Sequence, residues 1–472
     1  MAHFFLILNF ANKILENLSA NADKKIIIWP DDSYTSSKVL LNKVIEYRQK
    51  LPQKYESVII AENLNENTIA LIISCIANGN PIMFYPKHLR FFRLIKILKE
   101  KNVSYFFSNN FFLKNLLSLY NITALHINNL SKDFQSTISS AINNVENQHI
   151  ALYSFSSGSS GEVKCIDRSH QLLINQVEAI NKSFDKYKSY TDLSIFPNVL
   201  LYNLYENRTC VIPDIRKFDL LNLKPEKIFN QIIQHKIESI TGNKFFFNEL
   251  SKNNSDKKFK DVKAIGIGGS PIDNRLIDRI SNIFPNAEIN IIYGSTESEP
   301  ISVNKIYLEE TKPTLMGYCV GQIHEFIQIK FSETKNVEIL GNKLTIGEIC
   351  VIGRHVKNTN QEYLKTGDWG YLYKNELYIT ARKGNTEFYH QYQHLCIEHV
   401  LINNFQSEFA VIIKNNLLII YTESKLSKQD IEMVLFINFN IQFNVRIVYA
   451  KIIKDNRQLS KTLYNKLDEV RI

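Results

Sequence analysis

Proline and glycine are scarce in this chain, at 11 and 16 of 472 residues. Average glycine usage is roughly 7%, so collagen-like and low-complexity architectures are excluded. The few glycines are clustered, which makes each cluster informative. Cysteine is sparse too. Cys75, Cys165, Cys210, Cys319, Cys350 and Cys396 stand far apart, and no two form a CxxC pair. Free thiols in a reducing compartment are therefore expected, rather than a disulfide framework or a zinc site. Residues 4–10 (FFLILNF) are apolar, but fall well short of the ~20 residues that span a bilayer. They also lack the basic start and small-residue cleavage site of a signal peptide. They read as an interfacial or core strand of a cytoplasmic protein. No concentrated basic tract is present, so nucleic acid is not an expected partner.

What is abundant points to a folded chain. Apolar residues make up 44% and charged residues 22%, enough for a sizeable core and too ordered a composition for wholesale disorder. Aromatics reach 11%, with 29 Phe and 23 Tyr. Lys and Arg number 56 against 47 Asp and Glu, a net charge of +9. That balance suits an acidic partner, such as a nucleotide or an acidic protein, without selecting one.

Short apolar strands alternate with helical patterns through the first part of the chain. Residues 58–60, 81–85, 103–107 and 149–155 read as strands, with helices over 68–76, 90–101 and 172–184. Residues 264–268 and 289–293 are further strands followed by glycine. This alternation predicts an α/β fold, a mainly parallel sheet covered on both faces. After about residue 340 the texture turns to short alternating strands at 347–352, 369–373 and 376–380. Beyond ARKGN (381–385) a compact α+β unit is expected, with a helix near 398–404 and another from Ser427. A boundary near 383 divides the chain into residues 1–382 and a smaller portion, 383–472. No internal repeat is seen.

Five loops carry chemistry-bearing residues. The first runs Ser156-Ser157-Gly158-Ser159-Ser160-Gly161, followed by Lys164. Glycines let the backbone approach an anion, and successive amides and hydroxyls can cradle phosphate oxygens. Walker A, GxxxxGK[ST], is absent. A plain surface loop is the alternative. The second is Tyr293-Gly294-Ser295-Thr296-Glu297, a strand end suited to a base and a divalent cation. The third is Gly268-Gly269, where paired glycines allow close passage over a ligand; a tight turn explains them equally. The fourth is Tyr363-Leu364-Lys365-Thr366-Gly367-Asp368, with Arg382 further on. A carboxylate there can accept both hydroxyls of a ribose; a Thr-Gly-Asp hairpin is the alternative. The fifth, Lys461 to Lys466, is otherwise a basic tail. His390, His394 and His399 do not make a metal motif, since HExxH is absent. GxSxG is absent too.

Together, in this order and spacing, the loops resemble the adenylate-forming superfamily: acyl- and aryl-CoA synthetases, adenylation domains of peptide synthetases, and luciferase-like enzymes. FSSGSSGEVK resembles its phosphate loop, with His170 where many members have a histidine. YGSTE and YLKTGD are its most specific matches, and GGSP, ARKGN and LSKTLYNK resemble its adenine turn, hinge entry and terminal lysine segment. The resemblance covers nearly the whole chain. It implies a large N-terminal domain of layered, mainly parallel sheets and helices with a β-rich portion, and a small mobile C-terminal lid.

The resemblance also implies roles. Ser156, Ser157, Gly158, Ser159, Ser160, Gly161 and Lys164 would hold the β- and γ-phosphates of ATP. Gly268, Gly269, Tyr293 and Gly294 would line the adenine. Thr296 would contact the α-phosphate or acyl carboxylate, and Glu297 would hold Mg2+. Asp368 would bind the ribose hydroxyls beside Arg382, and Lys466 would meet the reacting oxygens. A carboxylic acid would become an acyl-adenylate, releasing pyrophosphate. The acyl group would then pass to a phosphopantetheine thiol, on an acidic carrier protein or on CoA. An acceptor other than a thiol, and a non-catalytic nucleotide-binding member, are the alternatives. A monomer or homodimer with no membrane span is expected. Departures include Val163 for proline, Cys165 and Ala381 for glycine, Gly384 at the hinge-acid position, Gln391 at the glycine of the thiolation loop, and Ser460 and Asn465 in the terminal segment. Leu193-Ser194 stands where α-amino-acid domains place aspartate, so an ordinary α-amino acid is disfavoured. Tyr202, Tyr205 and residues 245–247 read as an acyl pocket or as plain core.

Overall fold

The computed structural model describes residues 9–51, 55–86, 89–108, 110–125, 145–157, 163–183, 191–252, 254, 256–306, 317–357, 362–455 and 459–467. They form two compact units. One draws on described residues within Met1–Ser157, Val163–Glu178 and Lys188–Asp219, the other on those within Ala179–Tyr187 and Leu220–Ile472. The architecture is the expected one: a large mixed α/β part with two sheets and flanking helices, and a small C-terminal α+β part.

In the first unit, strands Thr123–Leu125, Val103–Phe107, Ser57–Ile60, Ile82–Phe84 and Ile150–Ser157 lie side by side in parallel, and Val163–Ser169 closes the edge antiparallel. Ser57–Ile60 is buried at every position, as a strand covered on both faces must be. The helix Glu66–Asn78 starts where the Asn65 side chain accepts from the Thr68 amide. It ends at Gly79, whose φ of +84° is the left-handed C-terminal cap that glycine adopts without strain. Lys25–Ile28, Thr209–Val211 and Thr191–Ser194 make a second parallel set in this unit.

In the second unit, Ser239–Asn243, Ala264–Gly268 and Glu288–Ser295 are parallel. From there the sheet continues antiparallel through Ser298–Ile306, Tyr318–Ile323, Glu376–Arg382, Leu364–Tyr373, Asn342–Gly353 and Ile327–Ile339. The change to antiparallel pairing is the change of texture seen in the sequence. The C-terminal part holds strands Phe409–Lys414, Leu417–Thr422 and Val445–Tyr449, with helices His394–Phe405 and Lys428–Phe439.

Several expectations need correction. Phe10 opens a helix, Phe10–Ala20, capped by the Asn9 side chain. It does not end a strand, and residues 4–8 lie outside the described residues. Thr366, Gly367 and Asp368 sit inside the strand Leu364–Tyr373 and not at a hairpin turn. His390 precedes the helix that begins at His394, so the two do not share a helical face. The expectation for cysteine is met: all six are free thiols. Among the described residues no helix is long and apolar enough to cross a membrane.

Three fully buried histidines belong to the packed interior. Burial holds His170 and His355 down to about 4 and His394 to about 3. His355 is fixed by a 2.7 Å hydrogen bond between its Nε2 and the Pro300 carbonyl. A folded-state pKa below the ordinary 6.5 means that acid favours the unfolded chain. The His355 contribution is whole above pH 6.5 and is lost as pH falls towards about 4. His355→Gln should therefore flatten the acid limb of stability across that window. Thermal midpoints measured at intervals from pH 7.5 to 4 check this; an unchanged slope contradicts it.

Candidate functional site

The site is assembled in the second unit where parallel strands end. Ala264–Gly268 and Glu288–Ser295 run side by side, with Gly268 opposite Ile292. A Cβ on Gly268 would lie 3.3 Å from the Ile292 carbonyl. Gly269 then turns at φ +93°, a conformation side chains other than glycine's resist. The paired glycines thus take the chain past the neighbouring strand with its backbone bare. Ligands of α/β sheets bind at such carboxyl ends.

The neighbouring strand carries Tyr293 and Gly294 to a tight turn at Thr296 and Glu297, and Ser295 pairs with Ser298 on the returning strand. A Cβ at Gly294 would stand 2.6 Å from the Ser298 carbonyl, so the hairpin closes only over glycine. Thr296 and Glu297 are half-buried. The Glu297 carbonyl accepts the Lys357 amide at 2.7 Å, which ties the turn down.

Asp368 meets Tyr293 across the sheet. The Tyr293 hydroxyl donates to Asp368 Oδ2 at 3.0 Å. Asp368 pairs in register with Arg382 on the adjacent strand, and Arg382 Nε lies 3.8 Å from the other carboxylate oxygen. Gly367, at φ +77°, gives its carbonyl to the Lys383 amide at 2.7 Å. Thr366 Oγ1 donates to the Ile349 carbonyl at 3.0 Å and accepts the Asp368 amide at 3.1 Å. The carboxylate is therefore held by two groups, with its own backbone amide fixed by Thr366, yet its side chain keeps 19% exposure. Each oxygen has lone pairs beyond the one engaged. Burial first, and the Asp368 charge second, push the Tyr293 phenol well above its ordinary pKa, so it remains a donor.

In the first unit, the antiparallel pair Ile150–Ser157 and Val163–Ser169 places Lys164 opposite Ser156 and Val163 opposite Ser157. Lys164 is exposed. Gly158, Ser159, Ser160 and Gly161 lie outside the described residues. Lys466 is exposed on the short C-terminal helix Tyr464–Leu467 and pairs with no carboxylate among the described residues. Gly268 and Tyr293 thus sit on one pair of adjacent strands and Asp368 and Arg382 on another, with two strands between the pairs in the sheet, and the Tyr293–Asp368 hydrogen bond links the pairs; Lys466 lies on the C-terminal part.

For magnesium the fit rests on donor chemistry. Among the described residues no cluster of three or more His, Cys, Asp or Glu side chains forms a cage. Magnesium commonly uses one or two carboxylates and completes its shell with water and phosphate oxygens. Glu297, a carboxylate on a tethered turn, fits that pattern.

A family model described as "AMP-binding enzyme" matches residues 58–359. The chain belongs to this family, the adenylate-forming enzymes. The curated relatives are distant. Olefin beta-lactone synthetase of Xanthomonas campestris pv. campestris is 24% identical over 222 residues, 44% of this chain and 40% of that protein. 4-Coumarate–CoA ligase 3 of Arabidopsis thaliana is 23% identical over 310 residues, 60% of this chain and 54% of that one. The chain thus spans about half, or less, of the curated relatives it matches. In fold, O-succinylbenzoate CoA synthetase of Bacillus subtilis, in complex with AMP, superposes at TM-score 0.79 with 15% identity, covering 98% of both chains. The McyG A-PCP structure complexed with phenylalanyl-adenylate gives 0.74 with 17% identity, over 98% of this chain and 95% of that one.

The residues that read as acyl pocket or plain core resolve towards core. Tyr202 is core: with Gln176 and Ser154 it receives hydrogen bonds from Arg168, which is 2% exposed. Tyr205 stacks on Phe10 with centroids 5.1 Å apart, and Phe246 and Phe247 are fully buried. Asn385 was not singled out in the sequence. Its side chain donates to the Val411 carbonyl at 2.7 Å and accepts the Ile413 amide at 3.4 Å, joining the segment after Arg382 to the C-terminal sheet. An asparagine three residues past Arg382 gives no periodic signal, and only the fold reveals the joint.

Tyr293→Phe removes the donor to Asp368 and leaves a half-buried carboxylate oxygen short of a partner. ATP affinity should fall on the order of tenfold, the usual scale for a hydrogen bond to a charged group. Titration calorimetry with ATP checks this; wild-type affinity in the variant contradicts a holding role for the tyrosine.

Proposed function

We propose that the protein activates a carboxylic acid with ATP, forming an acyl-adenylate and releasing pyrophosphate, and then passes the acyl group to a phosphopantetheine thiol. The observation that carries this reading is the Asp368 carboxylate, held by Tyr293 and Arg382, with Tyr293 next in its strand to Ile292, the partner of Gly268. It offers acceptors for two ribose hydroxyls.

In this reading Asp368 orients the nucleoside and Tyr293 packs along the adenine. Ser156, Ser157, Gly158, Ser159, Ser160, Gly161 and Lys164 hold the β- and γ-phosphates. Thr296 positions the acid carboxylate or the α-phosphate. Glu297 would hold magnesium, which when bound would supply positive charge to the phosphates. The acid's oxygen attacks the α-phosphorus, a new O–P bond forms, and the bond to pyrophosphate breaks with its electrons leaving on the pyrophosphate oxygen. Two anions approach in that step, so a cation placed on the reacting oxygens is worth most in the transition state. Lys466 takes that place when the C-terminal portion, 383–472, moves as a lid. Gly384, at φ +93° with open space where a Cβ would project, is a pivot for that movement.

The acceptor is a carrier protein or CoA, and the net charge of +9 favours an acidic carrier through steering. A second reading, transfer to an acceptor other than a thiol, is favoured by one observation. Gln391 occupies the turn Tyr389–Tyr392 at the place of the usual glycine, after His390 at φ +54°.

Acid-dependent ATP–pyrophosphate exchange over aliphatic, aryl, hydroxy and amino acids tests the first half-reaction. Exchange with one class is the expected result, and none with any class, on folded protein supplied with magnesium, contradicts it. Lys466→Ala should slow exchange by about a hundredfold or more with ATP affinity nearly unchanged; an undiminished rate removes the lysine's role. Mass detection of acylated carrier or acyl-CoA then separates the thiol reading from the second one.

A further inference from the structure

Lys466 is exposed, but the residues on either side of it are anchored. Leu467 is fully buried in a cluster with Ala410, Ile412, Ile419 and Tyr421, and its carbonyl accepts the Tyr421 hydroxyl at 3.2 Å. Tyr464 packs against the same cluster. Its hydroxyl lies 2.9 and 3.0 Å from the two carboxylate oxygens of Glu398, donating between them. Glu398 is 4% exposed and is itself fixed on the helix His394–Phe405, where it also accepts the Val411 amide at 2.8 Å. The His394 ring closes the pocket edge-on, 4.9 Å from the Tyr464 ring.

Direction follows from helical geometry. Residues three apart share a helix face, so Tyr464 and Leu467 both turn inward. Lys466, about 200° around from Tyr464 at roughly 100° per residue, turns outward. All the groups involved lie on the C-terminal part, so the arrangement travels with the lysine wherever that part goes.

We propose that Glu398 and Tyr464 are positioning residues for Lys466: the Glu398 carboxyl group holds the tyrosine, and the tyrosine with Leu467 fixes where the lysine points. This rests on the reading of Lys466 as the adenylation lysine. The tyrosine matters because its hydroxyl gives a carboxylate something to hold. A lysine at the end of an unanchored four-residue helix would sample many directions, and each wrong one is a lost approach to the reacting oxygens. The signature of such a role is a fall in kcat with KM for ATP and acid unmoved, since the lysine acts in the step and not in nucleotide binding.

The test compares wild type with Tyr464→Phe, Glu398→Gln and Lys466→Ala in pyrophosphate exchange, alongside amide hydrogen exchange over residues 461–467. Tyr464→Phe keeps the ring and removes only the hydroxyl. Its kcat should fall about tenfold with both KM values within about twofold. Deuterium uptake over 461–467 should rise, with the thermal midpoint little changed. Glu398→Gln, which keeps the shape and a weaker acceptor, should lie between Tyr464→Phe and wild type. Unchanged uptake in Tyr464→Phe overturns the anchoring. Wild-type kcat in Tyr464→Phe, with Lys466→Ala impaired, overturns the positioning role. If wild type fails to exchange, the adenylation reading itself falls; if Lys466→Ala is undiminished, only the lysine's role falls; in either case the positioning role falls with it. Uptake in Tyr464→Phe still judges the anchor.

Discussion

The Asp368 carboxylate is the point on which the candidate site depends. One oxygen takes the Tyr293 hydroxyl and the other faces Arg382, so a single side chain joins three strands. Without a donor, a half-buried carboxylate would turn to solvent or recruit a stray cation. With both neighbours in place it stays put and still has lone pairs to offer. The glycines follow from the same constraint. Gly294 lets the Tyr293 strand fold back at once, and Gly367 bends the Asp368 strand so that its carbonyl meets the Lys383 amide.

The C-terminal part answers a different requirement. A group that supplies charge to a reaction between anions must arrive late and leave, so it belongs on an element that can move relative to the nucleotide site. Such an element must be stiff within itself and soft at its joint. In the proposed lid movement the joint is Gly384, in open space, followed by Asn385 bonded to Val411 and Ile413. The stiffness comes from the apolar cluster around Leu467 and from the buried Glu398.

Much of this was legible in the sequence, for physical reasons. Strands buried on both faces, such as Ser57–Ile60, read as apolar runs, and glycine after a strand marks a turn whatever the ligand. YGSTE and YLKTGD were legible because several of their residues, Tyr293, Gly294, Thr366, Gly367 and Asp368, are needed locally. The backbone path of the Thr-Gly-Asp segment was not: a hairpin was the alternative, whereas the residues lie within a long strand whose bend is absorbed by Gly367. Contacts between residues far apart in the chain were also hidden. Tyr464 and Glu398 are 66 residues apart, and nothing in their spacing pairs them. Tyr202 could be read as pocket or core; its bond to the buried Arg168 places it in the core.

The most direct measurement is of ribose recognition. ATP, 2′-deoxy-ATP and 3′-deoxy-ATP should be titrated against the wild-type protein and Asp368→Ala. The account predicts that each missing hydroxyl weakens wild-type binding about tenfold or more, the scale of a hydrogen bond to a charged group, and that the variant no longer tells the three nucleotides apart. Equal affinities in the wild type, or a preference that survives in Asp368→Ala, would contradict it.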